Sequence, residues 1–271
     1  MSIIIDELEL RKKLDDKEIV ILDVRTKYDD FETGEAAYKH SHVPGALYVD
    51  VNTYFKGTNT FLPDIDMLAK KLGDLGIRDD TSIVLYDQGN HRAATKAWVV
   101  FNYIGHEPVY ILNGGFKAWA EAGNEVTTET PAFSPTIYHV KRNEDIVVSI
   151  DQVKASLETE NAMLIDSRSY DRYSGKVEPK YKKAGHIPGA KNYHSKRVMS
   201  EKGLWKTTEE LRCHFKDLQQ DEEIMVSCGS GNSACINFVA LIEAGFKEVK
   251  IYPGGFSEWI KDDHNEVEKT D

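Results

Sequence analysis

The sequence predicts an α/β protein made of two tandem domains, each a mainly parallel sheet flanked by helices. Three observations carry this. The chain has 271 residues, beyond the size at which one hydrophobic core usually keeps growing. Short apolar runs alternate with helix-like segments, the pattern of an α/β domain. Above all, three motifs occur twice in the same order. Ile21-Leu22-Asp23-Val24-Arg25 is echoed by Leu164-Ile165-Asp166-Ser167-Arg168, and His42-Val43-Pro44-Gly45-Ala46 by His186-Ile187-Pro188-Gly189-Ala190. Asn113-Gly114-Gly115-Phe116 with Trp119 is echoed by Pro253-Gly254-Gly255-Phe256 with Trp259. The halves therefore share one fold, with domains expected at 1–126 and 144–271.

Along the chain, Thr127 to Asn143 holds Pro131 and Pro135 without a clear period and is expected to be the interdomain linker, 127–143. In the second half, buried strands are expected at Ala162 to Asp166, Ile224 to Ser227 and Val249 to Tyr252. Helices are expected at Ile150 to Glu158, Thr208 to Lys216, Ser233 to Ala244 and Phe256 to Asp262, flanking the sheet as amphipathic segments. The third of these ends at Gly245, a favourable C-cap.

Hydrophobic residues make up 41% and charged residues 29%, a composition that can bury a core. The net charge of -11, with no basic block, excludes nucleic acid as the expected partner. An anionic substrate would need a local cluster of cations to overcome that field. Met1 to Asp6 shows no secretory pattern and no stretch is apolar enough to span a bilayer, so a monomer in the cytoplasm is expected. Three cysteines, Cys213, Cys228 and Cys235, form neither a disulfide framework nor a metal-type spacing, which suits a reducing compartment. No metal or organic cofactor is expected.

Cys228 follows the strand-like Ile224 to Ser227 and precedes a helix, at the sheet edge where α/β proteins bind ligands. Its loop runs Cys228-Gly229-Ser230-Gly231-Asn232-Ser233. The two glycines let successive N–H groups curl toward one atom, and the helix start adds positive potential. Such a cradle is expected to favour thiolate, and equally the terminal sulfur of a persulfide. Cys235, on an apolar helix run, and Cys213, among charged neighbours, are expected to be structural or incidental.

With these motifs in place, the chain resembles a two-domain rhodanese over nearly its whole length. In that family the C-terminal half carries the catalytic cysteine. The matching position of the first half is Asp87, so the resemblance implies a catalytically inactive N-terminal domain. Phosphatases sharing the fold close their loop with an arginine six residues after the cysteine; here that position is Ala234, which leaves sulfur transfer.

The resemblance also assigns roles. Cys-Gly-Ser-Gly resembles the 3-mercaptopyruvate enzymes, with Gly229, Gly231, Asn232 and Ser233 lining the bowl and Ser230 donating a hydrogen bond or relaying a proton. Asn232 stands where valine is common, and Ser233 where threonine is. Arg172 matches the arginine that binds the donor anion; Lys180, after Glu178-Pro179, holds the place of a second arginine. His42 matches the histidine of a proposed Ser-His-Asp arrangement; Glu32 and Glu35 lie upstream without aligning to its acidic member, and a turn-fixing role like that of His186 is equally open. Asp23, Arg25, Asp166 and Arg168 are expected to fix loops. The implied reaction loads sulfur from a small anionic donor onto Cys228 and passes it to cyanide, a thiol or a thioredoxin-like protein. Thiosulfate as main donor, and a persulfide-holding module without turnover, stay open as alternatives.

Overall fold

The computed structural model describes residues 2–14, 19–26, 33–57, 61–159 and 161–270. They form two compact units, Met1–Asn143 with Glu201–Trp205, and Glu144–Ser200 with Lys206–Asp271.

The first unit contains β1 (Ile4–Ile5), β2 (Ile19–Asp23), β3 (Ala46–Tyr48), β4 (Ser82–Tyr86) and β5 (Val109–Leu112), in the order β1-β5-β4-β2-β3. The second contains β6 (Ala162–Asp166), β7 (Lys191–Asn192), β8 (Glu223–Ser227) and β9 (Val249–Ile251), in the order β7-β6-β8-β9. All pairings within these sheets are parallel, and β2 is buried along its whole length, as a sheet covered on both faces requires. Asp23 lies beside Tyr86 and Asp166 beside Ser227, so each sheet brings its Asp-x-Arg motif next to the strand that feeds the loop at Asp87 or Cys228.

The repeated motifs make the same contacts in both units. Arg25 Nε and Nη2 donate to Asp23, Nη2 also to Ser41 O, and the guanidinium lies 4.1 Å from the Phe116 ring. Arg168 does the same with Asp166, Gly185 O and Phe256, at 4.2 Å from the ring. These buried ion pairs fix the loops, as the sequence suggests. The indoles of Trp119 and Trp259 donate to Glu125 O and Glu266 O.

Strand Ala162–Asp166 falls where the sequence places it, and the remaining second-half elements differ by a few residues. The helix Asn232–Ala244 ends on Gly245 at φ 98°, the left-handed cap expected there. It is not amphipathic, however. Ala234 through Leu241 are all buried, because the helix packs against β8, β9 and the helix Thr208–His214. The stretch 127–143 is not a free linker either. Thr127 pairs with His42, Thr136 donates to Gly73 O, Lys141 to Ile104 O and Asn143 to Tyr103 O, all within the first unit. Tyr138 is buried there, its hydroxyl 2.7 Å from His106 Nδ1. Satisfying its backbone groups in this way fastens the segment without regular structure.

Candidate active site

Cys228 leaves β8 and its side chain is 3% exposed. Gly231, at φ 85°, turns the chain into the helix Asn232–Ala244. The carbonyls of the loop are claimed from behind: Phe256 N–H donates to Cys228 O (2.8 Å) and Ser257 N–H to Gly229 O (2.9 Å). The N–H groups of Ser230, Ser233 and Ala234 favour the charged form of the Cys228 sulfur. The expected cradle is present. Its effect on the thiol is nevertheless outweighed, because burial pushes the Cys228 thiol above its ordinary range and nearby Asp166 adds to this. The net result in the resting protein is the reverse of the sequence expectation.

The two glycines of the loop serve different ends. Gly231 supplies the positive φ. Gly229 supplies room: a Cβ there would lie 2.9 Å from Tyr181 Oη and 3.6 Å from Arg172 Nη2. This places Arg172 and Tyr181 at the residue after Cys228. Gly255 comes closer still to the loop, at φ 57° with a Cβ position 2.4 Å from Cys228 O.

Arg172 lies in the helical turn Tyr170–Tyr173 and is 20% exposed. Its Nη2 donates to both oxygens of Glu178 (2.9 and 3.0 Å) and its Nε to one (3.3 Å). Nη1 has no hydrogen-bond partner among the described residues. Glu178, with a side chain 2% exposed, also meets Arg168 Nη1 at 3.4 Å and caps the Lys180 N–H. Lys180 itself is exposed, as are Ser230 and Asn232, while Ser233 is half-buried. The structure thus gathers Cys228, Gly229, Ser230, Gly231, Asn232, Ser233 and Arg172 into one site, with Lys180 tied by its backbone to the carboxylate that holds Arg172.

His42 is placed otherwise. It is fully buried in the first unit, its ring stacked on Tyr38 at 3.8 Å, with Nδ1 2.8 Å from Tyr38 O and Nε2 3.1 Å from Glu129 O. Its counterpart His186 stacks on Tyr173 at the same distance, with Nδ1 2.9 Å from Tyr173 O. Both histidines fix turns, and His42 has no ring nitrogen left for a Ser-His-Asp arrangement. Glu32 lies outside the described residues, and Glu35 pairs with Lys39 on the surface.

At Asp87 the first unit repeats the bowl with a different filling. Asp87 Oδ1 accepts from Gly89 and His91 N–H (2.8 and 3.0 Å), and Oδ2 from Ala93 and Ala94 N–H (3.1 and 3.3 Å). Phe116 N–H again holds the carbonyl behind, at 2.8 Å from Asp87 O. A carboxylate fixed in the chain occupies the place that the Cys228 thiol holds in the second unit.

Glu178 and Tyr181 are the site residues that sequence reasoning passes over. A signal existed for Glu178: two arginines four residues apart, both needed inside, require more than Asp166 to balance them. Tyr181, among Lys180, Lys182 and Lys183, reads as surface.

The chain is similar to known proteins over most of its length. The chain is 32% identical over 97% of its length to a probable 3-mercaptopyruvate sulfurtransferase of Pseudomonas aeruginosa, of which it covers 96%. It is 33% identical over 82% of its length to a thiosulfate sulfurtransferase of Cricetulus griseus, of which it covers 78%. Its fold matches the crystal structure of SseA from Escherichia coli, a 3-mercaptopyruvate sulfotransferase, with TM-score 0.83, 29% identity and coverage of 94% of this chain and 99% of that one. The profile of the rhodanese-like domain matches residues 6–122 and again 149–262. The chain therefore belongs to the rhodanese family, as a tandem pair of rhodanese-like domains.

Proposed function

We infer that the protein is a sulfurtransferase that carries sulfur as a persulfide on Cys228 and draws it by preference from 3-mercaptopyruvate. The observation that carries this reading is the bowl itself. The N–H groups of Ser230, Ser233 and Ala234 favour a charged sulfur at the end of β8, and the Arg172 guanidinium lies beside the next residue. An amide bowl of this size suits a terminal persulfide anion better than a phosphate group, and Ala234 removes the arginine that phosphate chemistry needs.

The Cys228 thiolate attacks the sulfur of mercaptopyruvate, forming an S–S bond and breaking the C–S bond. The electron pair leaves on carbon as the enolate of pyruvate, which takes a proton from solvent, with Ser230 at the mouth as relay. With thiosulfate the same attack releases sulfite. Cyanide or a thiolate then attacks the outer sulfur, forming thiocyanate or a new persulfide and returning Cys228 as thiolate. Arg172 supports donor binding through Nη1, the edge that Glu178 leaves open, and Lys180 adds positive charge nearby. This local group of cations is what an anionic donor requires against a net charge of -11.

Thiosulfate as main donor is favoured by Lys180, which lacks the planar fork an arginine would offer a carboxylate, and by the likeness to thiosulfate sulfurtransferases. None of the helices among the described residues is long and apolar enough to cross a membrane. The free thiols fit a reducing compartment such as the cytoplasm.

Intact-mass measurement after each donor, with Cys228→Ser as control, tests the reading. One added sulfur on the wild type and none on the variant is expected. A wild type that takes sulfur from neither donor would return the protein to the class of interaction modules. A kcat/KM clearly higher for thiosulfate would reverse the donor assignment.

A further inference from the structure

Tyr181 takes no part in the steps above, yet it stands closer to the loop than a surface tyrosine has reason to. It is half-buried, its ring meets Phe256 nearly edge-on at 6.1 Å, and the Arg172 guanidinium lies 5.4 Å from its centroid. Phe256 in turn holds the Cys228 carbonyl through its N–H. The ring is thus fixed between the arginine of the site and the residue that clamps the nucleophile's backbone. Its hydroxyl points into the place a side chain on residue 229 would fill, 2.9 Å from that Cβ position. Among the described residues this hydroxyl has no hydrogen-bond partner, although a tyrosine held in a packed site usually finds one.

A phenol O–H beside a guanidinium whose Nη1 is unengaged, both next to a sulfur nucleophile, makes a two-pronged donor set for an oxyanion. We propose that Tyr181 is a donor-binding residue, its O–H donating a hydrogen bond to the anionic head of the sulfur donor, carboxylate or sulfonate, alongside Arg172. The role rests on the sulfurtransferase reading and deepens it. It also explains why position 229 is glycine, at a backbone conformation that does not demand one: any side chain there displaces the tyrosine hydroxyl.

The test uses Tyr181→Phe in the full chain, with thiosulfate or mercaptopyruvate as donor and cyanide as acceptor. In a two-step reaction, kcat/KM for each substrate reports its own half-reaction. Removing a hydrogen bond to a charged acceptor is expected to lower kcat/KM for the donor about tenfold, while kcat/KM for cyanide is unchanged. Gly229→Ala, which keeps the tyrosine and moves its hydroxyl, should give the same one-sided loss. In the double variant the two losses should not add. An unchanged donor kcat/KM in Tyr181→Phe overturns the proposal, as does an equal fall for donor and cyanide, which marks general distortion. Should Tyr181→Phe fail to fold, Gly229→Ala decides alone by the same criterion. Failure of the parent reading looks different: the wild type then takes up no sulfur at all.

Discussion

At the scale of single residues, the site turns on a competition at Cys228 in which burial outweighs the pull of the Ser230, Ser233 and Ala234 amides and raises the thiol above its ordinary range. Raising an acid's pKa delays formation of its anion, so thiolate-dependent reactions of Cys228 should keep accelerating at pH values where a free thiol has levelled off. Iodoacetamide labelling followed by peptide mapping checks this, with added glutathione as the reference thiol. Parallel pH profiles for the two would contradict it. His42 gives the complementary case, a residue whose surroundings account for it without chemistry. His42→Phe keeps the stack on Tyr38 and removes both carbonyl partners, which should cost about 1–3 kcal/mol of stability in chemical denaturation. Sulfur uptake per folded molecule should be unaltered; a selective loss of uptake would restore the histidine to the mechanism. That Cys228, Arg172 and the loop glycines lie together was legible because their types and spacing are distinctive. The role of His42 was not, because a histidine that fixes a turn and one that moves protons carry the same letter.

At the scale of elements, the strands were readable because β6 and β8 are short apolar runs buried on both faces, and β6 falls on the expected residues. The helix after Cys228 was located correctly but misjudged in character. Its sequence is nearly all apolar, and only the neighbouring helix Thr208–His214 explains why both sides must be covered. The Gly-Gly-Phe motif shows how one element shapes another. Gly255 carries a positive φ and brings its chain against the Cys228 carbonyl so that Phe256 N–H can hold it. Gly255→Ala should lose about 1–2 kcal/mol from the left-handed backbone alone, with a further penalty from the 2.4 Å approach. Calorimetry should show a lowered melting temperature, and mass measurement a reduced sulfur uptake. Retention of both would mean that the loop does not depend on this clamp.

For the whole molecule, the duplication was the most legible feature, since it rests on three separate motifs whose contacts recur in both units. The boundary near 127–143 was harder to read. Prolines and a missing period mark irregular backbone, but cannot tell a free linker from a strap whose amides and carbonyls are satisfied by one unit. The short piece Glu201–Trp205, which packs with the first unit through Trp205 N–H to Asn113 Oδ1 and His91 Nε2 to Gly203 O, left no sequence signal at all.

Asp87 allows one more deduction. The two bowls are a natural experiment in what such a ring of amides prefers: the one in the first unit holds the Asp87 carboxylate through four hydrogen bonds. On the proposed function, reactivity and repose pull in opposite directions, and the bowl of the second unit gives up firmness by holding a thiol whose ionisation burial opposes. Cys228→Asp should therefore produce a protein that takes up no sulfur and yet unfolds at a higher temperature than the wild type. A lower unfolding temperature would show that the second bowl has drifted from the shape of the first, and that the capacity to rest was lost along with the need for it.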